Sequence, residues 1–284
     1  MYNKLLVDLI QRALEEDGAY ADITTISTVP EEQWSAGHMI TRHAGVIAGL
    51  NFALEAFRVF DERIHIEQLI KDGSYVQAGT ELVYLKGPSR SLLSAERVAL
   101  NFLGRLSGIA TLTNQCVRVL EGKQTRILDT RKTTPGLREL EKMAVRLGGG
   151  QNHRFGLSDG VLIKDNHIKA AGGVAQAVTA ARQVAPHLMK IEIECETLAE
   201  VQVALDAGAD AILLDNMDIP AMSHAVEVIH QRDPKVLTEA SGNIGTNAEK
   251  LVAVAETGVN FISLGALTHS APNFDISLEF TREA

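Results

Sequence analysis

From residue 126 onward, short apolar runs recur along the chain: RILDT (126–130), VLIKD (161–165), IEIECE (191–196), AILLDN (211–216), VLTEAS (236–241) and FISLGAL (261–267). Each is short, rich in Ile, Leu and Val, and followed by polar side chains, which is the pattern of a buried strand. Between them, LAEVQVALDAGAD (198–210) and NAEKLVAVAETGVN (247–260) carry Leu, Val and Ala at helical spacing and close on Gly208 and Gly258. Glycine is favoured just past a helix end. Strands alternating with helices predict parallel β/α units. No G-x-G-x-x-G follows the first strand, which argues against a doubly wound dinucleotide fold. The expected fold class is α/β, with a C-terminal β/α barrel that is TIM-like but incomplete.

The stretch PGLRELEKMAVRL (135–147) interrupts this rhythm. Leu137, Leu140, Ala144 and Leu147 share one helical face, Pro135 suits a first turn, and Gly148 follows the end. A helix is predicted there. The first hundred residues have another texture: MYNKLLVDLIQRALEEDG reads as an amphipathic helix, 38–50, 63–80 and 81–87 as short strands with glycine turns, and 94–120 as a long helix. The expected division is a smaller N-terminal α+β domain over 1–110, the barrel over 111–270, and a segment, 271–284, returning to the N-terminal domain.

Composition changes this picture little, since 45% hydrophobic and 22% charged residues are ordinary for a soluble globular chain of 284. The net charge of −9 argues against a nucleic-acid or membrane-surface partner, because the long-range field repels both. Cys116 and Cys195 are too few for a disulfide framework and sit in no metal-binding pattern. The N-terminal stretch lacks the uninterrupted apolar core of a signal peptide. A reducing cytoplasm is the expected setting.

Charge patterning changes the picture more. Between Arg131 and Lys169, eight Lys or Arg (131, 132, 138, 142, 146, 154, 164, 169) stand against four acids (139, 141, 159, 165), a balance of +4 inside a chain of −9. Arg138, Lys142 and Arg146 recur at i, i+4 and i+8 and read as the solvated face of the helix 135–147. Arg131, Lys132, His153, Arg154 and Lys164 remain, beside strand ends or in the loop GGGQNHR (148–154). Guanidinium forks next to closely approachable glycine backbone suit a ligand with several negative groups.

Barrel enzymes gather their reactive groups at the C-terminal ends of strands. Those ends carry Asp129 and Thr130, Lys164, Glu194, Asp215 and Asn216, Glu239 and Ser241, and Ser263. Glu194 and Asp215 end consecutive strands and are expected to face one another, within reach of a hydrated cation or sugar hydroxyls. Two small loops follow the last two strands: SGNIG, with Ser241, Gly242 and Asn243, and SLGAL, with Ser263, Leu264 and Gly265. Backbone N–H groups in such loops bind phosphate.

These residues carry a resemblance. The run DTRKTTPGLRELEKMAVRLGGGQNHRFGLSDGVLIKDNHI, followed by IEIECE, ILLDNM, EASGNI and SLGALTHSAP, resembles the nicotinate-nucleotide pyrophosphorylases (carboxylating), or quinolinate phosphoribosyltransferases. AERVALNFLGRLSGIAT (95–111) and ADITT (21–25) extend the likeness through nearly the whole chain. The resemblance implies transfer of a phosphoribosyl group from phosphoribosyl pyrophosphate to quinolinate, giving nicotinate mononucleotide, pyrophosphate and carbon dioxide on the de novo route to NAD. Mg²⁺ accompanies the pyrophosphate in this picture, and no organic cofactor is needed. Carried over by position, substrate binding falls on Arg97, Arg131, Lys132, His153, Arg154, Lys164, Glu194, Asp215, Ser241 and Gly265. Thr130, Gly242, Asn243, Ser263 and Leu264 share those strand ends and loops. Lys132, Glu194 and Asp215 are the catalytic candidates, the two carboxylates also holding Mg²⁺ indirectly.

Arg97, on the long helix, is implied to enter the site of a neighbouring subunit, which requires a homodimer or a higher homo-oligomer. One departure is SGNI, where many relatives carry a second glycine at the position of Asn243; phosphate contact at that residue is in question. Two other readings compete: a barrel aldolase with Lys164 as Schiff-base nucleophile, and a non-catalytic sensor of a phosphorylated metabolite. A related branch of the fold is associated with molybdenum-transport loci.

Overall fold

The computed structural model describes residues 4–281. The chain divides into two compact units, Met1–Leu112 with Arg146–Gly148 and Ala271–Ala284, and Thr113–Val145 with Gly149–Ser270.

The first unit opens with α1 (Lys4–Glu16), whose Leu6, Ile10 and Leu14 are buried at four-residue spacing, as an amphipathic helix requires. α2 (Ile23–Thr28) is capped by Asp22, which accepts the Thr25 N–H at 3.0 Å. Then follow β1 (Trp34–Thr41), β2 (Gly45–Val46), α3 (Leu50–Phe60), β3 (His65–Gln68), β4 (Tyr75–Val76), β5 (Glu81–Pro88) and the long helix α4 (Ser89–Val119). The helix α3 has no counterpart in the sequence reading. Leu50, Phe52, Ala53, Leu54, Ala56 and Phe57 are all buried, while Asn51, Glu55 and Arg58 form a polar stripe at i, i+4 and i+7, a helical periodicity the sequence reading passed over. An antiparallel sheet in the order β12–β1–β5–β3 completes this unit, β12 being Ile276–Thr281.

The second unit is built on β6 (Arg126–Leu128), β7 (Val161–Ile163), β8 (Ile191–Cys195), β9 (Ala211–Asp215), β10 (Leu237–Ser241) and β11 (Phe261–Ser263), the six apolar runs of the sequence. They form a parallel sheet in the order β6–β11–β10–β9–β8–β7. The helices between and beyond them are α5 (Arg138–Leu147), α6 (Asp165–Ala171), α7 (Val174–Val184), α8 (Leu198–Asp206), α9 (Ile219–Arg232), α10 (Ala248–Glu256) and α11 (Ala266–His269). This is the expected incomplete β/α barrel. β6 and β7 lie at opposite edges of the sheet, and among the described residues the seam carries only an isolated bridge from Leu128 to Gln151.

Strand periodicity sorts the side chains. Ile127, Ile163, Ile193, Ile212, Leu214, Ala240 and Ile262 are buried on one parity, while Leu162, Lys164, Glu194, Leu213, Asp215, Glu239, Ser241 and Ser263, of the other parity, border a single cavity. Alternation thus packs one face of the sheet and leaves the other to chemistry. Among the described residues no helix is long and apolar enough to cross a membrane.

Candidate active site

A cavity of about 550 Å³ occupies the C-terminal ends of the barrel strands. Thr130, Arg131 and Lys132 line it after β6, His153 and Arg154 after α5, and Lys164 after β7. Glu194, Asp215 and Ser241 come from β8, β9 and β10, Gly242 and Asn243 follow β10, and Ser263 ends β11. Leu264 and Gly265 border an adjoining cavity of about 350 Å³, which shares Thr130, Lys132, Ser241, Gly242, Asn243 and Ser263. Arg97 is different: it is exposed on α4 in the first unit and borders neither cavity.

The cavity is short of negative charge. Lys164 donates to Glu194 at 2.6 Å, but Arg131 and Lys132 have no carboxylate partner among the described residues. Arg154 Nη1 donates to the Gly160 carbonyl at 2.8 Å, while its buried Nε has no partner. Burial, with Arg131 nearby, lowers the pKa of the Arg154 guanidinium. A cation in that position is stabilised by a bound anion. Lys164 is 47% exposed and already paired, not enclosed in the apolar surroundings a Schiff-base lysine needs.

Glu194 and Asp215 both border the cavity but do not stand level. The register sets Glu194 beside Leu213 and Asp215 beside Ser241, so Asp215 lies two residues further along the sheet than expected. Asp215 accepts from Asn216 Nδ2 at 2.7 Å. Among the described residues each carboxylate keeps one oxygen without a hydrogen-bond partner, which suits a hard cation. Two spaced carboxylates are too few for a dedicated cage and fit Mg²⁺ arriving with a polyphosphate and its own waters.

The loop after β10 is shaped for close approach. Gly242 has φ +85°, and a Cβ on it would lie 2.3 Å from Asn216 Oδ1. Asn243 follows at φ +21°, and Asn216 sits at φ +54°, a backbone region asparagine tolerates better than most residues.

Behind the cavity lies a polar cluster. His153 Nε2 is 3.2 Å from Glu192 Oε2 and 3.6 Å from Glu239 Oε2. Its Nδ1 accepts the Arg154 N–H at 2.7 Å. Neither nitrogen is free for a substrate in this arrangement, although His153 was expected to bind one. Burial opposes charge on the ring, but Glu192 and Glu239 outweigh it and raise the pKa. The Arg154 contact points the other way, because a proton on Nδ1 would face an amide hydrogen. Geometry prevails in the resting site, and the hydrogen bonds assign the ring proton to Nε2. Burial, reinforced by the Glu192 carboxylate, pushes Glu239 up to about 8, so it carries its proton at neutral pH.

Lys142 corrects the sequence reading outright. It is not solvated but 1% exposed, and donates to Asp129 Oδ1 at 2.5 Å and to the His153 carbonyl at 3.0 Å. Asp129 also accepts the His153 N–H at 2.8 Å and Asn152 Nδ2 at 2.5 Å. Arg138 is half-buried, bonding Thr133 Oγ1 and the Phe155 carbonyl, and of the three helical cations Arg146 alone is exposed. The buried ion pair anchors the loop that presents His153 and Arg154.

Comparison with known proteins decides what this arrangement belongs to. The family models "Quinolinate phosphoribosyl transferase, N-terminal domain" and "Quinolinate phosphoribosyl transferase, C-terminal domain" match residues 22–107 and 109–279. The chain belongs to the quinolinate phosphoribosyltransferase family. It is 45% identical over 276 residues to a probable nicotinate-nucleotide pyrophosphorylase [carboxylating] of Bacillus subtilis, covering 97% of this chain and 93% of the relative. A nicotinate-nucleotide pyrophosphorylase [carboxylating] of Mycobacterium leprae is 44% identical, with 96% of each chain covered. The solved nicotinate-nucleotide pyrophosphorylase of Francisella tularensis superposes with a TM-score of 0.92 at 41% identity, covering 99% of this chain and 98% of that one.

Sequence reasoning overlooked Glu192 and left Glu239 without a role. Strand alternation in IEIEC puts Glu192 on the parity of Glu194, and that repeat was the available signal.

Proposed function

We propose that the chain catalyses the reaction of quinolinate with phosphoribosyl pyrophosphate to give nicotinate mononucleotide, pyrophosphate and carbon dioxide, in de novo NAD biosynthesis. The observation that carries this reading is one cavity in which Arg131, Lys132 and Arg154 lack carboxylate partners while a glycine-bearing loop borders the same space. A dianionic pyridine beside a phosphorylated sugar matches that charge.

Arg131, Arg154 and Lys164 hold the two carboxylates, and His153 supports that wall from within the chain. The pyridine nitrogen then forms a bond to the sugar's anomeric carbon as the bond to pyrophosphate breaks. Orientation of the two reactants supplies much of the rate. Glu194 and Asp215 position the ribose hydroxyls and stabilise positive charge developing on the sugar. Thr130, the 241–243 loop and residues 263–265 take the phosphates, and Glu194 and Asp215 would hold Mg²⁺, which would supply neutralising charge to the pyrophosphate. The new pyridinium stabilises the electron pair left on C2 when carbon dioxide departs, with the Lys132 ammonium assisting. A homodimer in which Arg97 completes the neighbouring site, and a cytoplasmic setting, complete the reading; both cysteines are free and buried, as a reducing compartment allows.

The test is to incubate the protein with quinolinate, phosphoribosyl pyrophosphate and Mg²⁺. Nicotinate mononucleotide and carbon dioxide are expected in equal amounts. Absence of quinolinate-dependent pyrophosphate release would count decisively against the reading. Sharing of sites has its own test: mixing Arg97→Ala chains with Lys132→Ala chains should restore partial activity, because one site of each mixed dimer is intact. A verified mixed dimer with no recovered activity rules out the shared arginine.

A further inference from the structure

A second cavity, of about 430 Å³, opens at the other end of the barrel, where Val161, Ala211, Leu237 and Phe261 begin their strands. Three residues border both this cavity and the active-site cavity: His153, Arg154 and Glu239. Arginine does not give up its proton in proteins, and His153 has its Nδ1 taken by the Arg154 N–H, whereas a glutamic acid exchanges its proton readily. The barrel is therefore closed through its middle by three side chains, of which Glu239 can pass a proton between the spaces above and below.

The decarboxylating reaction, on which this inference rests, needs a proton at that place. When the C2–carboxylate bond breaks, its electron pair stays on C2, and the product forms only when C2 takes up a proton. Pyrophosphate, sugar and pyridine fill the strand-end side at that moment, so solvent is displaced where it would otherwise supply one.

We propose that Glu239, backed by Glu192 and His153, is a proton passage through the barrel, and that the proton replacing the lost carboxylate reaches C2 along it from the second cavity. Glu239 is 5% exposed in its side chain, and its Oε1 is buried without a hydrogen-bond partner. It faces Glu192 from β8, His153 and Arg154 from the segment after α5, and the Ser263 hydroxyl from β11, while β9 brings Leu213 alongside. Burial and Glu192 keep it protonated at neutral pH. Once it gives that proton to C2 it becomes a second carboxylate beside Glu192. Two such charges in contact cannot both persist, so water in the second cavity, which Glu192 and Glu239 both border, reprotonates the pair directly, while His153 Nε2 keeps its proton and only hydrogen-bonds the carboxylates. One proton is drawn from solvent per carbon dioxide released.

The experiment follows pyrophosphate and carbon dioxide separately in single turnovers of wild type and Glu239→Gln, a variant of the same shape that cannot donate an acidic proton. Quinolinate-dependent pyrophosphate release is expected at nearly the wild-type rate in the variant, with carbon dioxide release slowed roughly 10²-fold. In wild type, the carbon dioxide step should slow as pH rises through about 8, where Glu239 loses its proton, and the variant should lack that limb. Equal slowing of both steps, or carbon dioxide release at the wild-type rate, overturns the passage. Should the variant not fold, the wild-type profile decides: the carbon dioxide step is expected to slow as pH rises above neutral, and a step with no such limb over the whole range in which the protein stays folded refutes the passage. No pyrophosphate release by wild type would instead defeat the functional reading itself.

Discussion

Lys132→Ala is expected to lose roughly 10²–10³ in kcat, the scale measured when one preorganised electrostatic donor is removed from an active site. Lys132 borders both parts of the site, and Gly265 comes so close that an added Cβ would sit 2.9 Å from Lys132 Cδ. Its position is held by the chain, since its backbone N–H donates to Thr130 Oγ1 at 3.0 Å and its carbonyl accepts from Thr268 at 2.8 Å. The side chain is exposed and unpaired among the described residues, so its removal should change stability by no more than about 0.5 kcal/mol. Steady-state kinetics with urea unfolding separates the two effects. Wild-type turnover in a folded Lys132→Ala enzyme would remove this lysine from the chemistry.

Lys142→Met is the opposite case, a change outside the cavity with its effect on the fold. It preserves the stem and deletes the ammonium, leaving Asp129 buried at 0% exposure without its counter-ion. Breaking one side of a buried ion pair costs about 3–5 kcal/mol. Burial already raises the pKa of Asp129 in the intact pair, against the pull of Lys142. In the variant that opposition is gone and the carboxyl favours its neutral form more strongly. A carboxyl whose folded-state pKa is raised stabilises the fold below that value and loses the contribution as pH rises through it. The stability deficit of Lys142→Met should therefore shrink in mild acid and be full at neutral pH. Unfolding midpoints at both conditions check this, and a deficit below about 1 kcal/mol at neutral pH contradicts it.

That lysine also marks where sequence reading stops. Spacing of i, i+4 and i+8 describes Arg138, Lys142 and Arg146 on one helical stripe, and solvent was the natural partner. What buries Lys142 is Asp129, fixed on the end of β6 and brought beneath α5 by packing that no local pattern encodes. The barrel strands were legible because parallel strands are covered on both sides and leave continuous apolar runs. Their polar ends were legible for the same reason, as abrupt breaks in those runs. Relative height was not, since register depends on pairing: Glu194 and Asp215 end adjacent strands yet differ by two residues in level. Glu192 looked like one more acid in an alternating strand, and only His153, arriving from a distant loop, gives it meaning. Arg97 carried no local signal at all and came from resemblance.

The pairing of β1 with β12 has a consequence in time. The whole barrel sequence separates the two strands, although closing so long a loop costs little more than closing a moderate one. A growing polypeptide offers β1 long before β12 exists, so one edge of that sheet stays open while the barrel is synthesised. The unit that begins first on the ribosome is thus the last to be finished.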